Sequence, residues 1–217
     1  MLLSKEKLIC RQLRNSDSLT DEQYQNIATL IYETDPYIYP ALFASNIQPL
    51  KAANMILPQL IESNTDAMFR KDNLYICEDN SGVCSLILWH KGPLVWNTIS
   101  LLDTASSMGI ELIEANVKAV RKSYVAEIYN TDDASIRNTL SIINVCVDVN
   151  KRGLGIGGFL LSSFICDHVN ESMELCVLAD NDNAVNLYKR FGFVITKQYS
   201  GFSLGNIKPD CFEMRKK

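Results

Sequence analysis

The sequence predicts a single domain of mixed α/β character, of the α+β kind, with a mainly antiparallel sheet flanked by helices. Three observations carry this reading. Residues 74–77 and 83–89 are apolar, β-prone runs around an Asp79-Asn80-Ser81-Gly82 turn, the signature of an antiparallel hairpin. Residues 140–149 read as a strand that enters a glycine-rich turn and then an apolar helix ending near His168. Apolar residues at helical spacing fill two further stretches, after Thr20 and from 106 to 129. A chain of 217 residues, 47% hydrophobic and 21% charged, is the right size for one such domain and buries a real core.

Taken in order, residues 9–13 alternate as a short strand before Asn15, Ser16, Asp17 and Ser18 break it. Thr20 then caps a helix, with Gln23 three residues on, and Tyr24, Ile27, Leu30 and Ile31 form its apolar face. Pro36, Pro40, Pro49 and Pro58 predict short helical pieces over 36–64 rather than one long helix. Tyr37, Tyr39 and Phe43 in this stretch either line a substrate groove or pack in the core. After the hairpin, Ile113, Val117, Val120, Tyr124 and Ile128 mark an amphipathic helix over 106–129, followed by the loop 130–133. A strand at 173–178, a short helix at 183–191 stopped by Gly192, and strands at 194–199 and 211–214 complete the pattern.

Composition narrows the function. A net charge of −4 gives no basic field for nucleic acid or an anionic membrane. The apolar run at 155–166 is too short to cross a bilayer, which takes about 20 residues. Seven cysteines show no paired spacing, and the two histidines, His90 and His168, stand apart, so neither a disulfide framework nor a metal site is expected. Residues 1–7 turn charged at once, without the apolar segment of a signal peptide, and a cytoplasmic location is the expectation.

The segment from Val145 to Gly158 carries the chemistry. Strand, glycine turn and helix in succession bring backbone N–H groups and a helix N-terminus to one spot, where a phosphate or diphosphate can rest, and Arg152 adds a permanent charge. Lys151 beside it reads as a surface charge. Gly153, Gly155 and Gly158 also satisfy the dinucleotide fingerprint, with Asp180 near the place of its ribose-binding acid. The chain beyond that turn is too short for the further βα units such a domain requires, and no Gly-Lys-Ser/Thr follows for a nucleotide triphosphate loop.

Arg152, Gly155 and Gly157 match the Arg/Gln-x-x-Gly-x-Gly/Ala turn of the GNAT N-acetyltransferases, and Asn181, Ala184, Leu187, Tyr188, Gly192 and Phe193 reproduce that family's downstream segment with every gap in place. The sequence thus resembles a GNAT enzyme over 142–193. The resemblance implies a V-shaped split between two parallel strands, one ending near Val147 and one near Leu178. It implies acetyl-CoA as cosubstrate and no metal. The coenzyme's diphosphate would rest on the amides of Arg152, Gly153, Leu154, Gly155, Ile156 and Gly157, and its pantetheine arm would run along the backbone of Val145, Cys146 and Val147. The acyl group would pass directly to a primary amine of a small molecule or peptide. Cys146 would then be a core residue rather than a nucleophile.

Tyr188 follows Asn181 and Ala184 on one helical face, and its phenol is the expected general acid for the departing thiolate. Asn181 would hydrogen-bond the coenzyme, cap the helix, or both. Asp148, Glu127, Asp103 and His90 are the candidates for a general base, alongside a water relay. The stretch 103–130 falls where the family has a short turn, and it reads as a helical insertion that shapes the acceptor side, packs on the sheet or meets a partner in a homodimer. The alternatives are a non-catalytic CoA-binding module of the same fold and a dinucleotide-binding protein.

Overall fold

Thr20 and Gln23 open the first helix reciprocally: the Thr20 hydroxyl accepts from the Gln23 N–H at 3.2 Å, and the Gln23 side chain accepts from the Thr20 N–H at 2.9 Å. Tyr24, Ile27, Ala28, Leu30 and Ile31 are its buried face. In the computed structural model, which describes residues 8–92, 98–123, 139–199 and 210–217, this helix is α1 (Asp21–Glu33), preceded by β1 (Ile9–Gln12). There follow α2 (Ile38–Leu42), α3 (Pro49–Ser63), β2 (Leu74–Asp79), β3 (Gly82–Lys91), α4 (Ile99–Ser107) and α5 (Glu114–Ser123). The remaining elements are β4 (Thr139–Val147), α6 (Ile156–Asp167), β5 (Ser172–Leu178), α7 (Asp182–Arg190), β6 (Val194–Tyr199) and β7 (Cys211–Lys216).

The strands form one seven-stranded sheet in the order β1-β2-β3-β4-β5-β7-β6. Neighbours are antiparallel except β4 and β5, which run parallel. Side chains alternate across it. Leu74, Ile76, Leu86 and Leu88 face α1 to α5, whereas Tyr75, Cys77, Ile87, Leu140 and Ile142 face α6 and α7. Two cores therefore sandwich the sheet, and both faces are covered.

Two expectations change. Residues 36–64 fold as separate helices, as expected, but Pro58 does not divide the second of them: residues 49–63 form one continuous helix around it. An interior proline costs about 3 kcal/mol, but Ile56, Leu57, Leu60 and Ile61 are buried around it, each contributing about 1.5–3 kcal/mol. Pro49 opens the helix, where no amide is needed, and Asn64 ends it in the left-handed region at φ 54°.

The helix expected over 106–129 is interrupted. Gly109 adopts φ 70°, Asn46 bonds the backbone on both sides of the break, at the Gly109 carbonyl (3.3 Å) and the Glu111 N–H (3.1 Å), and α5 starts only at Glu114. Of its predicted apolar face, Val117 and Val120 are buried and Ile113 is exposed; Tyr124 and Ile128 lie outside the described residues. Among the described residues no helix is long and apolar enough to cross a membrane.

Candidate active site

The sheet opens in its middle. β4 pairs with β5 only from Thr139↔Ser172 to Ile142↔Leu175, while β4 runs on to Val147 and β5 to Leu178. Beyond Ile142 each strand keeps only its outer partner, β3 or β7. A wedge thus forms between the two C-terminal strand ends, with unpaired backbone groups on its walls that a ligand can engage. This is the V-shaped split expected from the sequence.

A bulge in β4 sets what faces the wedge. Leu88 pairs with Asn144 and Trp89 with Ile142, leaving Ile143 extra. Ile143 packs into the α1-to-α5 core, and Asn144 bonds residues of that same layer: Tyr39 donates to its Oδ1 at 2.7 Å, and its Nδ2 donates to Thr34 Oγ1 at 2.7 Å. Asn144 thereby fastens the α1–α2 connection over the split. Tyr39 and Phe43 are fully buried, their rings stacked at 6.4 Å, so of the three aromatics only Tyr37 keeps partial exposure.

The glycine turn lies at the tip of β4. Lys151 turns away from it and pairs with Asp79 of the β2–β3 hairpin at 2.6 Å. Arg152 is exposed and donates from Nε to the Val147 carbonyl at 3.0 Å, closing the turn back on the strand end. Gly153 and Gly155 hold φ of 78° and 86°, conformations an L residue adopts only with strain, and a Cβ at either would meet nothing within 4 Å. Gly157 differs: its Cβ would lie 3.4 Å from Val147 and 3.7 Å from Leu187.

Gly155 caps α6 without any side chain, so the exposed first-turn amides and the positive end of the helix are left for an anion beside Arg152. A coenzyme diphosphate fits this cradle of open space, free amides and one cation.

Tyr188 lies in the α6–α7 core at 7% exposure, edge-on to Phe193 at 5.8 Å, and its hydroxyl makes no hydrogen bond with a described residue. Burial pushes its phenol well above the ordinary range, and the Cys146 thiol adds to this; its neighbour Leu187 and Val147 at the tip of β4 both flank Gly157. Cys146 is itself buried, and burial pushes its thiol up to about 11 against the opposing pull of Arg152. At neutral pH it is a packed thiol, not a thiolate. Asn181 caps α7, its Oδ1 accepting from the Ala184 N–H at 3.2 Å; the side chain is exposed and its amide group remains available.

Residues 112–195 match the family model of the acetyltransferase (GNAT) domain. The chain has the GNAT fold. Its structure is similar to that of an N-acetyltransferase from Staphylococcus aureus Mu50, at a TM-score of 0.63 and 18% identity over 96% of this chain and 100% of that one. It is also similar to Arabidopsis thaliana Naa50 in complex with the bisubstrate analogue CoA-Ac-MVNAL, at 0.51 and 15% over 97% and 98% of the two chains. A third similarity is to the NatC complex bound to Gag peptide and CoA, at 0.52 and 16% over 96% and 97%. No curated protein sequence matches.

Within this GNAT fold the three described base candidates do not come together. His90 pairs with Ser141, in the part of β4 still joined to β5, away from the open end, and burial lowers its pKa to about 4. Asp148 is consumed by its own turn, accepting from the Asn150 N–H at 2.9 Å. Asp103 is exposed on α4, which packs on α3, and Glu127 lies outside the described residues.

Two carboxylates that sequence reasoning missed flank Thr34, whose hydroxyl accepts from Asn144 of β4. Glu33, exposed at the end of α1, acts electrostatically on Cys146, and Asp35 acts on Cys211 of β7. Asp35 Oδ1 accepts from the N–H groups of Tyr37 and Ile38, both at 2.7 Å, and burial raises its pKa against those bonds. Asp35 immediately precedes Pro36, and an Asp-Pro step that turns the chain is the signal that could have found it.

Proposed function

We propose that the protein transfers an acetyl group from acetyl-CoA directly to a primary amine of a small molecule or peptide. The observation that carries this reading is an anion cradle at an open strand end, beside a helix whose buried Tyr188 phenol has no hydrogen-bond partner among the described residues. Arg152 and the amides from Gly153 to Gly157 bind the diphosphate. The free backbone of Val145, Cys146 and Val147 aligns the pantetheine arm, with the Arg152–Val147 contact yielding where the arm needs that carbonyl, and the Asn181 amide adds a donor. Bound acetyl-CoA supplies the acyl thioester.

Tyr188 serves as general acid. Its raised pKa keeps the proton in place at neutral pH until negative charge develops on the departing sulfur, and the hydroxyl then hands it over. Strand amides in the wedge stabilise the developing oxyanion, a role that needs no side chain.

The amine enters from the α1–α2 side. Glu33 presents a carboxylate there to an ammonium group, and Tyr37 supplies a partly exposed ring. The peptide-bearing complexes of Naa50 and NatC, similar in fold, support an amine-bearing acceptor. The insertion at about 103–130 braces this side: α5 packs on α2, and Asn116 Nδ2 donates to the Ala41 carbonyl at 3.2 Å. Seven free cysteines suit the reducing cytoplasm.

The test is titration calorimetry with acetyl-CoA, followed by CoA-thiol release with N-terminal peptides and polyamines as acceptors. Saturable binding and acceptor-dependent release are expected. No association with the coenzyme overturns the reading, and binding without release to any amine reassigns the protein as a non-catalytic CoA-binding module.

A further inference from the structure

We propose that Cys10 and Cys77 form an oxidisable cross-strand pair, a modification site at which a hydroperoxide converts the two thiols into a disulfide joining β1 to β2. The two residues stand directly opposite each other in the antiparallel register. Which kind of opposite pair they make follows from the ladder. The Leu13 N–H donates to the Leu74 carbonyl at 2.9 Å, so Leu13 and Leu74 are a hydrogen-bonded pair. Pair types alternate along the strand, and three steps back Cys10 and Cys77 are a non-hydrogen-bonded pair. In such pairs the Cα atoms approach to about 4.5 Å and the side chains are closest, within the span a disulfide bridges.

Both thiols point to the α6 face, where they pack with Cys84. Cys10 is half-buried, so a small oxidant can reach it, and Cys77 is fully buried behind it. Its interaction with the Cys77 thiol, helped by Ser163, holds the Cys10 thiol below its usual range despite burial. Cys77 is pushed the other way, up to about 12, chiefly by the same interaction. The pair is thus polarised into an attacking and a resolving thiol. Cys84 donates to the Cys77 carbonyl at 3.3 Å, and no group of three or more metal-ligating side chains forms among the described residues.

In the reaction the Cys10 sulfur attacks the peroxide oxygen, the O–O bond breaks, and a sulfenic acid and one hydroxide, taken up as water, result. The Cys77 thiol then attacks the Cys10 sulfur and releases a second water as the S–S bond forms. Two thiols lose two electrons and two protons, and the peroxide is reduced to two waters.

The test uses the full chain carrying Cys166→Ser, which removes an exposed thiol. The folded protein is treated with hydrogen peroxide, alkylated, digested and analysed by mass spectrometry. The expected result is a monomer lighter by two hydrogens, with the Cys10 and Cys77 peptides joined in most chains, restored by dithiothreitol and abolished by Cys10→Ser. Full alkylation of both cysteines after peroxide, a bridge between any other pair, or stable oxygen addition at Cys10 without a bridge each overturns the proposal.

Discussion

The Tyr39 hydroxyl donates to Asn144 Oδ1 at 2.7 Å, tying α2 to β4 two residues beyond the last pairing of β4 with β5. Both partners are buried. Tyr39→Phe leaves the amide oxygen without this donor in a site closed to water, and a loss of about 1–3 kcal/mol of stability is expected. Urea unfolding measures it. Acetyl-CoA affinity should be unchanged, because the tie lies in the α1-to-α5 layer, whereas the glycine turn leads into α6 on the other face of the sheet.

Tyr188→Phe keeps the ring, its packing on Phe193 and the core, and removes only the hydroxyl. Turnover should fall by about 10²-fold or more, the usual size of a general-acid contribution, while calorimetry shows the coenzyme binding as before. Equal turnover in the two proteins would remove Tyr188 from the mechanism.

Of Gly153, Gly155 and Gly157, Gly157 is the one where a side chain would meet neighbours, with its Cβ already at contact distance, 3.4 Å, from Val147. Gly157→Leu must push the first turn of α6 away from the β4 tip or block the space beside it. A drop of about 10-fold or more in acetyl-CoA affinity is expected from displaced anion contacts, with the far-ultraviolet circular dichroism retained. Affinity equal to that of the native chain would mean the diphosphate lies elsewhere.

His90 makes stability depend on pH. Its folded pKa of about 4 lies below the ordinary 6.5, so between these values the unfolded chain binds a proton that the folded one does not. Its contribution is present above pH 6.5 and is lost as pH falls toward 4. At pH 5 the loss amounts to about 2 kcal/mol. Urea unfolding at pH 7.5 and pH 5 should show a smaller drop for His90→Gln than for the native chain.

Much of this was legible in the residues. The capping box at Thr20, the β2–β3 hairpin and the glycine turn are local devices, set by neighbours in sequence, and the parallel pair was expected from the turn's resemblance to a known family. What was not legible depended on tertiary context. Pro58 stays helical because the core repays it, and Gly109 breaks a helix because Asn46, distant in sequence, holds both sides of the break. The role of Asn144 needed the bulge at Ile143, which no pattern announces. Lys151 reads as a surface charge, and its ion pair with Asp79 of the β2–β3 hairpin, distant in sequence, is what the pattern did not announce. Glu33 and Asp35 looked like the tail of a helix and become visible only when α1 is laid across the strands.

β7 lies between β5 and β6 and bonds to both. The wall of the wedge formed by β5 therefore gains its outer support from the last of the described strands to be synthesised. A nascent chain that has emerged only as far as Tyr199 already holds every residue assigned here to the coenzyme but lacks the slat that stiffens one jaw, so ligand recognition must await the synthesis of residues 211–216.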